Sequence, residues 1–237
     1  MGPLMKLGIM QPYIFPYIGY FHLIQASSLF VFYDDVHYIK SGWINRNRII
    51  NQDTDLLFTV PLSKSGSNKL IKEIAPAFDF KWKDKFYKQL VHSYKRAPFF
   101  ESAIDQVMSP FCREYADITD LAIESILAIY SYLGIEFEYT KSSICAPETR
   151  GMDKADRLIN ITKHLGYRNY VNAPGGKELY SKEYFLNQGV NLSFIQSNTI
   201  KYKQYSEHFV PWLSIIDIIM FNGKDTTIKF LESYCLE

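Results

Sequence analysis

Two prolines four residues apart, Pro12 and Pro16, follow directly on the apolar run KLGIM at 6–10. Proline has no N–H to give to a β-ladder, so a strand over 6–10 must stop at Gln11-Pro12. The stretch 12–18 is then an aromatic loop with a fixed backbone. The next residues, 19–26 (GYFHLIQA), have the spacing of a helix, and 29–33 (LFVFY) form a second buried strand closed by Asp34-Asp35. Strand, loop, helix and strand make a βαβ unit, the seed of a parallel sheet. Ligands of such sheets bind at the carboxyl ends of the strands. Loop 11–18 and the pair Asp34-Asp35 both fall there.

The rest of the chain fits the same class. A third strand is expected at 56–61 and a polar loop at 63–69. Helices are expected over 82–95 and 101–133, the second broken near Pro110. A strand at 136–140 precedes an amphipathic helix at 153–165, with Asp153 at its N-cap and Gly166 as its stop. A short strand at 169–171, the turn Ala173-Pro174-Gly175-Gly176, a helix at 181–187 and a strand at 191–195 follow. The apolar helix 212–221 ends at Asn222-Gly223. The fold class is α/β: an N-terminal Rossmann-like βαβ parallel sheet, a helical middle and a C-terminal α/β part. No repeat or linker divides the chain, so 5–237 reads as one domain, and Met1–Leu4 (MGPL) as a cloning scar.

Net charge and cysteine usage exclude several classes. The formal charge of +1 argues against a broad basic face for nucleic acid. A local cluster does exist: Lys40, Arg46 and Arg48 lie close together. Cys112, Cys145 and Cys235 show no C-x-x-C pattern, so neither a disulfide framework nor a zinc site is expected. No apolar run reaches membrane-spanning length, and no signal peptide is legible in a start broken by Gln11, Pro12 and Pro16. A cytoplasmic protein without a membrane span is expected.

Three groups of residues could carry chemistry. The first is the rigid loop with Gln11, Tyr13, Tyr17, Gly19 and Tyr20, whose hydroxyls and amide could meet a substrate. Its frame Tyr17-Ile18-Gly19-Tyr20 is similar to the H-x-G-H context of adenylyl-transferring proteins, with both histidines replaced. Gly19 would allow close approach of a phosphate to the helix start. His22, one step further on, reads as structural. The second group is Asp34-Asp35 with Lys40, Trp43, Asn45, Arg46 and Asn47. The carboxylates could bind an amine, hold a metal or act as a base, Arg46 could take a phosphate, and Trp43 could stack on a ring. The competing reading is a solvated turn beside an edge strand. The third group is Tyr202, Gln204, Ser214 and Asp217. A carboxylate inside the apolar run 212–221 must be paired, and a structural tether is favoured over a catalyst. His92 and Tyr94 pose the same choice, and His92 joins Asp34 and Asp35 as a candidate catalytic residue. Cys145 has no histidine partner that the sequence can place. No metalloprotease, P-loop or G-x-G-x-x-G pattern is present, and no metal ligands are expected.

With these segments in view, the chain resembles the WbqC-like proteins of bacteria. The resemblance rests on QPYIFPYIGYFHLI (11–24), FVFYDDVHYIKSGWINRNRI (30–49), Val60-Pro61, Tyr94 with Ala97-Pro98, KSSI (141–144), Leu158–Tyr170 and YKQYSEHFVPWLSIIDIIMFNG (202–223). His37 stands where the pattern has glutamine. The resemblance implies a part in making O-antigen or related surface polysaccharide (lipopolysaccharide). It also implies glycine transfer to the amino group of a nucleotide-linked amino sugar.

Two expectations follow. The first is an aminoacyltransferase acting on a nucleotide-linked amino-deoxysugar. Its acyl group would be activated by ATP-Mg in the same site or supplied by a charged tRNA. Gly19 and Arg46 would hold phosphate, Trp43 and Tyr13 would contact sugar or base, and Asp34 or Asp35 would orient or deprotonate the amine. The second is a non-catalytic nucleotide-sugar binding or assembly protein of the same pathway. An ATP-dependent ligase with tyrosines in place of the histidines ranks below both, because a phenol carries no positive charge at neutral pH.

Overall fold

The computed structural model describes residues 4–63, 66 and 68–237. The expected scar, Leu4 apart, lies outside the described residues. So do Lys64, Ser65 and Ser67 of the expected polar loop. The opening βαβ unit is present: β1 (Lys6–Met10), α1 (Ile18–Gln25) and β2 (Leu29–Phe32). The two strands pair in parallel, Leu7 opposite Leu29 and Met10 opposite Phe32. There follow β3 (Arg46–Asn51), β4 (Thr54–Thr59), α2 (Phe80–Tyr94), α3 (Phe100–Met108) and α4 (Ile118–Leu133). The last third holds β5 (Tyr139–Lys141), α5 (Ser142–Cys145), α6 (Lys154–His164), β6 (Asn169–Asn172), α7 (Lys182–Asn187), β7 (Asn191–Ser197), α8 (Ile215–Leu231) and β8 (Tyr234–Leu236).

Six strands form one sheet in the order β5-β2-β1-β6-β7-β8, and only β8 runs antiparallel to its neighbour. The parallel strands therefore grow outward in two directions from β1, and the order reverses between β1 and β6. That reversal is where open α/β sheets form a crevice. Successive side chains of a strand face opposite sides, and both sides are apolar here. Phe30, Phe32, Val171 and Ile195 join the core shared with α1 to α4 and α8. Leu7, Ile9, Val31, Tyr170, Leu192 and Phe194 join the smaller core with α6 and α7. Phe32 is fully buried, and truncating such a ring costs about 3–5 kcal/mol.

Several helix starts are capped by their own sequence. Asp79, Asp117 and Ser181 accept hydrogen bonds from Trp82 N, Asp120 N and Tyr184 N. Asp153 occupies the N-cap of α6, as expected, yet its side chain makes no capping bond.

The structure corrects four expectations. The strand expected at 56–61 is β4, and it belongs to a separate antiparallel hairpin with β3. β3 itself (RNRIIN) was given no strand bounds in the sequence, because its arginines and asparagines mask an alternation of partly and fully buried positions. Asn222-Gly223 is a kink rather than an end. Gly223 takes φ 66° and ψ −167°, and α8 resumes to Leu231. A Cβ at Gly223 would stand 2.5 Å from the Phe99 ring, so only glycine lets α8 and that ring approach. Finally, β8 has no counterpart in the sequence reading, being three residues that pair only through β7.

Candidate functional site

The centre of the loop after β1 is held by other elements. Phe15 sits at φ 39°, a left-handed conformation that costs a non-glycine residue about 1–3 kcal/mol. Three side chains clamp it there: Phe15 N–H donates to Ser125 Oγ (2.9 Å), and Asn47 Nδ2 (2.8 Å) and Ser214 Oγ (2.7 Å) donate to its carbonyl. Asn47 also reaches the Ile14 carbonyl at 3.1 Å. A turn of α4, a strand of the hairpin and the cap of α8 thus fix one residue and set the direction in which α1 leaves.

Two neighbouring cavities open around this loop. The larger, about 500 Å³, lies between the start of α1 (Tyr17, Ile18, Gly19), the segment 197–202 and the segment 207–213. The smaller, about 170 Å³, is lined by Tyr13, Pro16, Tyr17, Trp43, Asn47, Arg48 and Trp212. Tyr17 and Trp212 line both, and their rings meet edge to face at 5.8 Å. Trp212 is 67% exposed and held at φ 60°. Its carbonyl accepts from Arg48 Nη2 at 3.2 Å. Arg48 also stacks on Trp43, and its Nε is buried with no hydrogen-bond partner. Arg48 Nη1 also lies 3.7 Å from Asp55 Oδ2, and Arg48 is the one cationic side chain among the residues that line the smaller cavity.

The larger cavity has a tethered wall. Asp217, fully buried, accepts from Tyr94 Oη (2.9 Å), Tyr202 Oη (2.6 Å) and Gln204 Nε2 (2.9 Å). Gln204 in turn donates to the Val210 carbonyl and accepts from Val210 N–H, closing the loop 204–210. Burial pushes the Asp217 carboxyl up to about 6 against the pull of those three donors. Asp217 is thus the tether that the sequence favoured, and Tyr202 and Gln204 serve it. At the other end of the wall, Ser197 Oγ lies 2.8 Å from His22 Nδ1, and His22 Nε2 lies 2.8 Å from the Phe230 carbonyl.

Asp34 and Asp35 stand at the end of β2, as expected, but they are almost fully buried and every carboxylate oxygen is engaged. Asp34 accepts from Ser143 N–H and Ser143 Oγ, and its own N–H donates to Ser142 Oγ. Asp35 accepts from Ser142 Oγ at 2.5 Å and from Arg157 Nη2 at 2.6 Å. In place of the solvated turn of the competing reading stands a buried knot that ties β2 to α5 and α6. The Arg157 guanidinium also lies 4.6 Å from the Tyr33 ring centre. Cys145, close by, is pushed up to about 11, first by burial and then by Asp35 and Asp34, which keeps the thiol protonated.

The other expected residues divide. Tyr13, Tyr17, Gly19, Trp43, Asn47 and Tyr202 line one or both cavities. Gln11 accepts from Tyr13 Oη through its side chain, and from Tyr20 Oη through its carbonyl. Burial raises the Tyr13 phenol to about 12, with Tyr17 adding to it. Tyr20 and Asn45 are buried, and Asn45 spends its amide on Tyr38 and the Val60 carbonyl. Arg46 closes its own turn through the carbonyls of Ser41 and Gly42 and lines neither cavity, whereas Arg48 lines the smaller one. Lys40 is exposed and lines neither cavity, and His92 faces solvent on α2. Gly19 makes room for the Tyr17 ring, since a Cβ there would lie 2.4 Å from that ring. Sequence reasoning missed Ser197, Lys201, Glu207, His208 and Trp212 as cavity residues. The signal within reach was Pro211-Trp212, an aromatic after a proline beside the apolar helix. Among the described residues, no cluster of His, Cys, Asp and Glu is placed to hold a metal ion, and no helix is long and apolar enough to cross a membrane.

Comparison with known proteins agrees with this outline of the chain. The pattern of the WbqC-like protein family matches residues 11–229. A curated relative, the uncharacterized protein Rv1507c of Mycobacterium tuberculosis (strain ATCC 25618 / H37Rv), is 27% identical over 224 residues, covering 93% of this chain and 95% of the relative. No solved structure matches the chain.

Proposed function

Since the chain belongs to the WbqC-like protein family, we propose that it transfers an aminoacyl group, glycyl first among candidates, to the amino group of a nucleotide-linked amino-deoxysugar in surface-polysaccharide biosynthesis, and that it does so in the joined cavities around Tyr17 and Trp212. One observation carries the location. A large compartment of about 500 Å³ adjoins a small one lined by a single cation, Arg48, among aromatic rings. The larger volume is within the usual range for small-molecule sites.

Each wall then has a task. Arg48 takes a phosphate oxygen of the nucleotide in the smaller compartment. Tyr17 and Trp212, edge to face between the compartments, offer apolar ring faces to the base or sugar. Lys201, Glu207 and His208 line the larger compartment and supply its charge, Lys201 for a second phosphate and Glu207 or His208 for the amine. An attacking amine must be neutral, so a base beside it is required. Asp34 and Asp35 were expected in that role; with every oxygen engaged, they hold the sheet end instead.

The test is to supply glycine with ATP-Mg, or glycyl-tRNA, together with a panel of nucleotide-linked amino sugars, and to follow the sugars by mass spectrometry. A glycyl amide on the sugar, lost in Arg48→Met, supports the reading, and the donor required identifies the activation route. Tight sugar-nucleotide binding with no amide from either donor would replace it with the binding-protein reading.

A further inference from the structure

We propose that Ser197 and His22 form a nucleophile–base pair at the wall of the larger cavity, and that the acyl group is carried as an ester on Ser197 Oγ before it reaches the acceptor amine. The inference rests on the acyl-transfer reading for the identity of the donor, and on geometry for everything else.

The hydrogen bonds fix the proton positions. A backbone carbonyl only accepts, so the 2.8 Å contact to Phe230 O requires the proton of the neutral ring on His22 Nε2. Nδ1 is then a bare lone pair, and Ser197 Oγ, 2.8 Å away, must donate to it. That is the relation of an activated hydroxyl to its base, with the carbonyl as the third group that orients the ring. The ring is fully buried and packed at 5.5 Å against Tyr234, so it keeps this tautomer and this pose. Burial also holds His22 below the ordinary histidine value of 6.5, despite the carbonyl's opposing pull, which favours the basic form near neutrality.

Position distinguishes the pair from a core tether. Ser197 is the last residue of β7 and lines the cavity with Ile18 and Gly19. The side chain of a helical residue leans toward the helix start, so His22 reaches back from α1 toward Ile18 and Gly19. As first residues of α1, these two have backbone N–H groups with no intrahelical partner. Both residues line the cavity that Ser197 lines, and in the proposed step their N–H groups serve the developing oxyanion of an acyl group on Oγ.

The steps balance. With an activated aminoacyl ester or acyl phosphate, Oγ attacks the carbonyl carbon and its proton passes to Nδ1. The bond to the leaving group breaks with its electron pair, and the leaving group takes a proton from the imidazolium. The sugar amine then attacks the Ser197 ester and gives a proton to Nδ1. The Oγ–C bond breaks, and Oγ recovers that proton. The net result is an amide, free Ser197 and the protonated leaving group.

The pair is tested on the full chain with p-nitrophenyl acetate and, separately, with a fluorophosphonate, the labelled residue being mapped by digestion and mass spectrometry. A single adduct on Ser197 is expected, absent in Ser197→Ala and formed on the order of 100-fold more slowly in His22→Gln. Labels confined to surface lysines and tyrosines, or an equal rate in a folded His22→Gln, would overturn it. Should His22→Gln not fold, the mapping on the unsubstituted chain decides alone. Glycyl transfer undiminished in Ser197→Ala would refute the pair and leave the transfer reading standing. A labelled Ser197 without any glycyl transfer would do the reverse.

Discussion

Tyr202 donates a 2.6 Å hydrogen bond to Asp217, and through it the wall of the larger cavity is anchored to the buried first turn of α8. The anchor has a pH signature. Asp217 rises from 3.8 to about 6 on folding, chiefly through burial. The folded state therefore holds this proton more tightly than the unfolded chain does. The contribution of this group to stability falls as pH rises between about 4 and 6, by about 3 kcal/mol at most, and is level above that. Asp217→Asn should flatten that part of the pH–stability curve. It should also cost about 1–3 kcal/mol at pH 4, because one of three buried donors loses its acceptor. Denaturant titrations at pH 4, 5, 6 and 7 give both numbers. Identical pH slopes in the two proteins would refute the assignment.

The Asp35–Arg157 pair makes a different prediction. Both side chains are at most 4% exposed. Arg157→Met leaves a carboxylate buried without its cation and should cost about 3–5 kcal/mol. Adding Asp35→Asn should return a large part of that loss. Strictly additive losses in the double variant would mean that the two side chains do not act as a unit.

Trp212 trades stability for shape. Asparagine tolerates the left-handed backbone that tryptophan occupies at a cost. Trp212→Asn should therefore unfold no earlier than the unsubstituted chain. It should bind a nucleotide-linked amino sugar roughly tenfold or more weakly, in line with about 1–3 kcal/mol for one lost aromatic stack. Calorimetric affinity and thermal midpoint together test it; unchanged affinity would remove Trp212 from the site.

Gly19→Ala should act on the site alone. The new Cβ displaces the Tyr17 ring, which is a movable side chain, while α1 gains a residue suited to helices. Stability should stay within about 1 kcal/mol, with sugar-nucleotide affinity reduced. A large loss of stability with affinity intact would show that the ring cannot move and that the glycine serves packing.

Much of the architecture was legible because local rules and the fold agree. Pro12 and Pro16 end β1 and shape the loop, and the apolar runs 6–10 and 29–33 pair as parallel strands. The hairpin of β3 and β4 was half hidden, since Arg46, Asn47 and Arg48 look like a solvated turn until their neighbours are known. Of the loop residues singled out in the sequence, Tyr13, Tyr17 and Trp43 line the cavities. The contact between Ser197 and His22 was not legible, because the two are 175 residues apart and no period joins them.

The sequence alone determined the fold class, since hydrophobic period and proline placement act within a few residues and need no partner. Tertiary structure decided the roles. Whether a carboxylate is a base or a brace depends on the donors that surround it. Asp35 meets Arg157 across 122 residues, and Asp217 meets Tyr94 across 123. Contacts of that range exist only once the sheet order has brought the strand ends together.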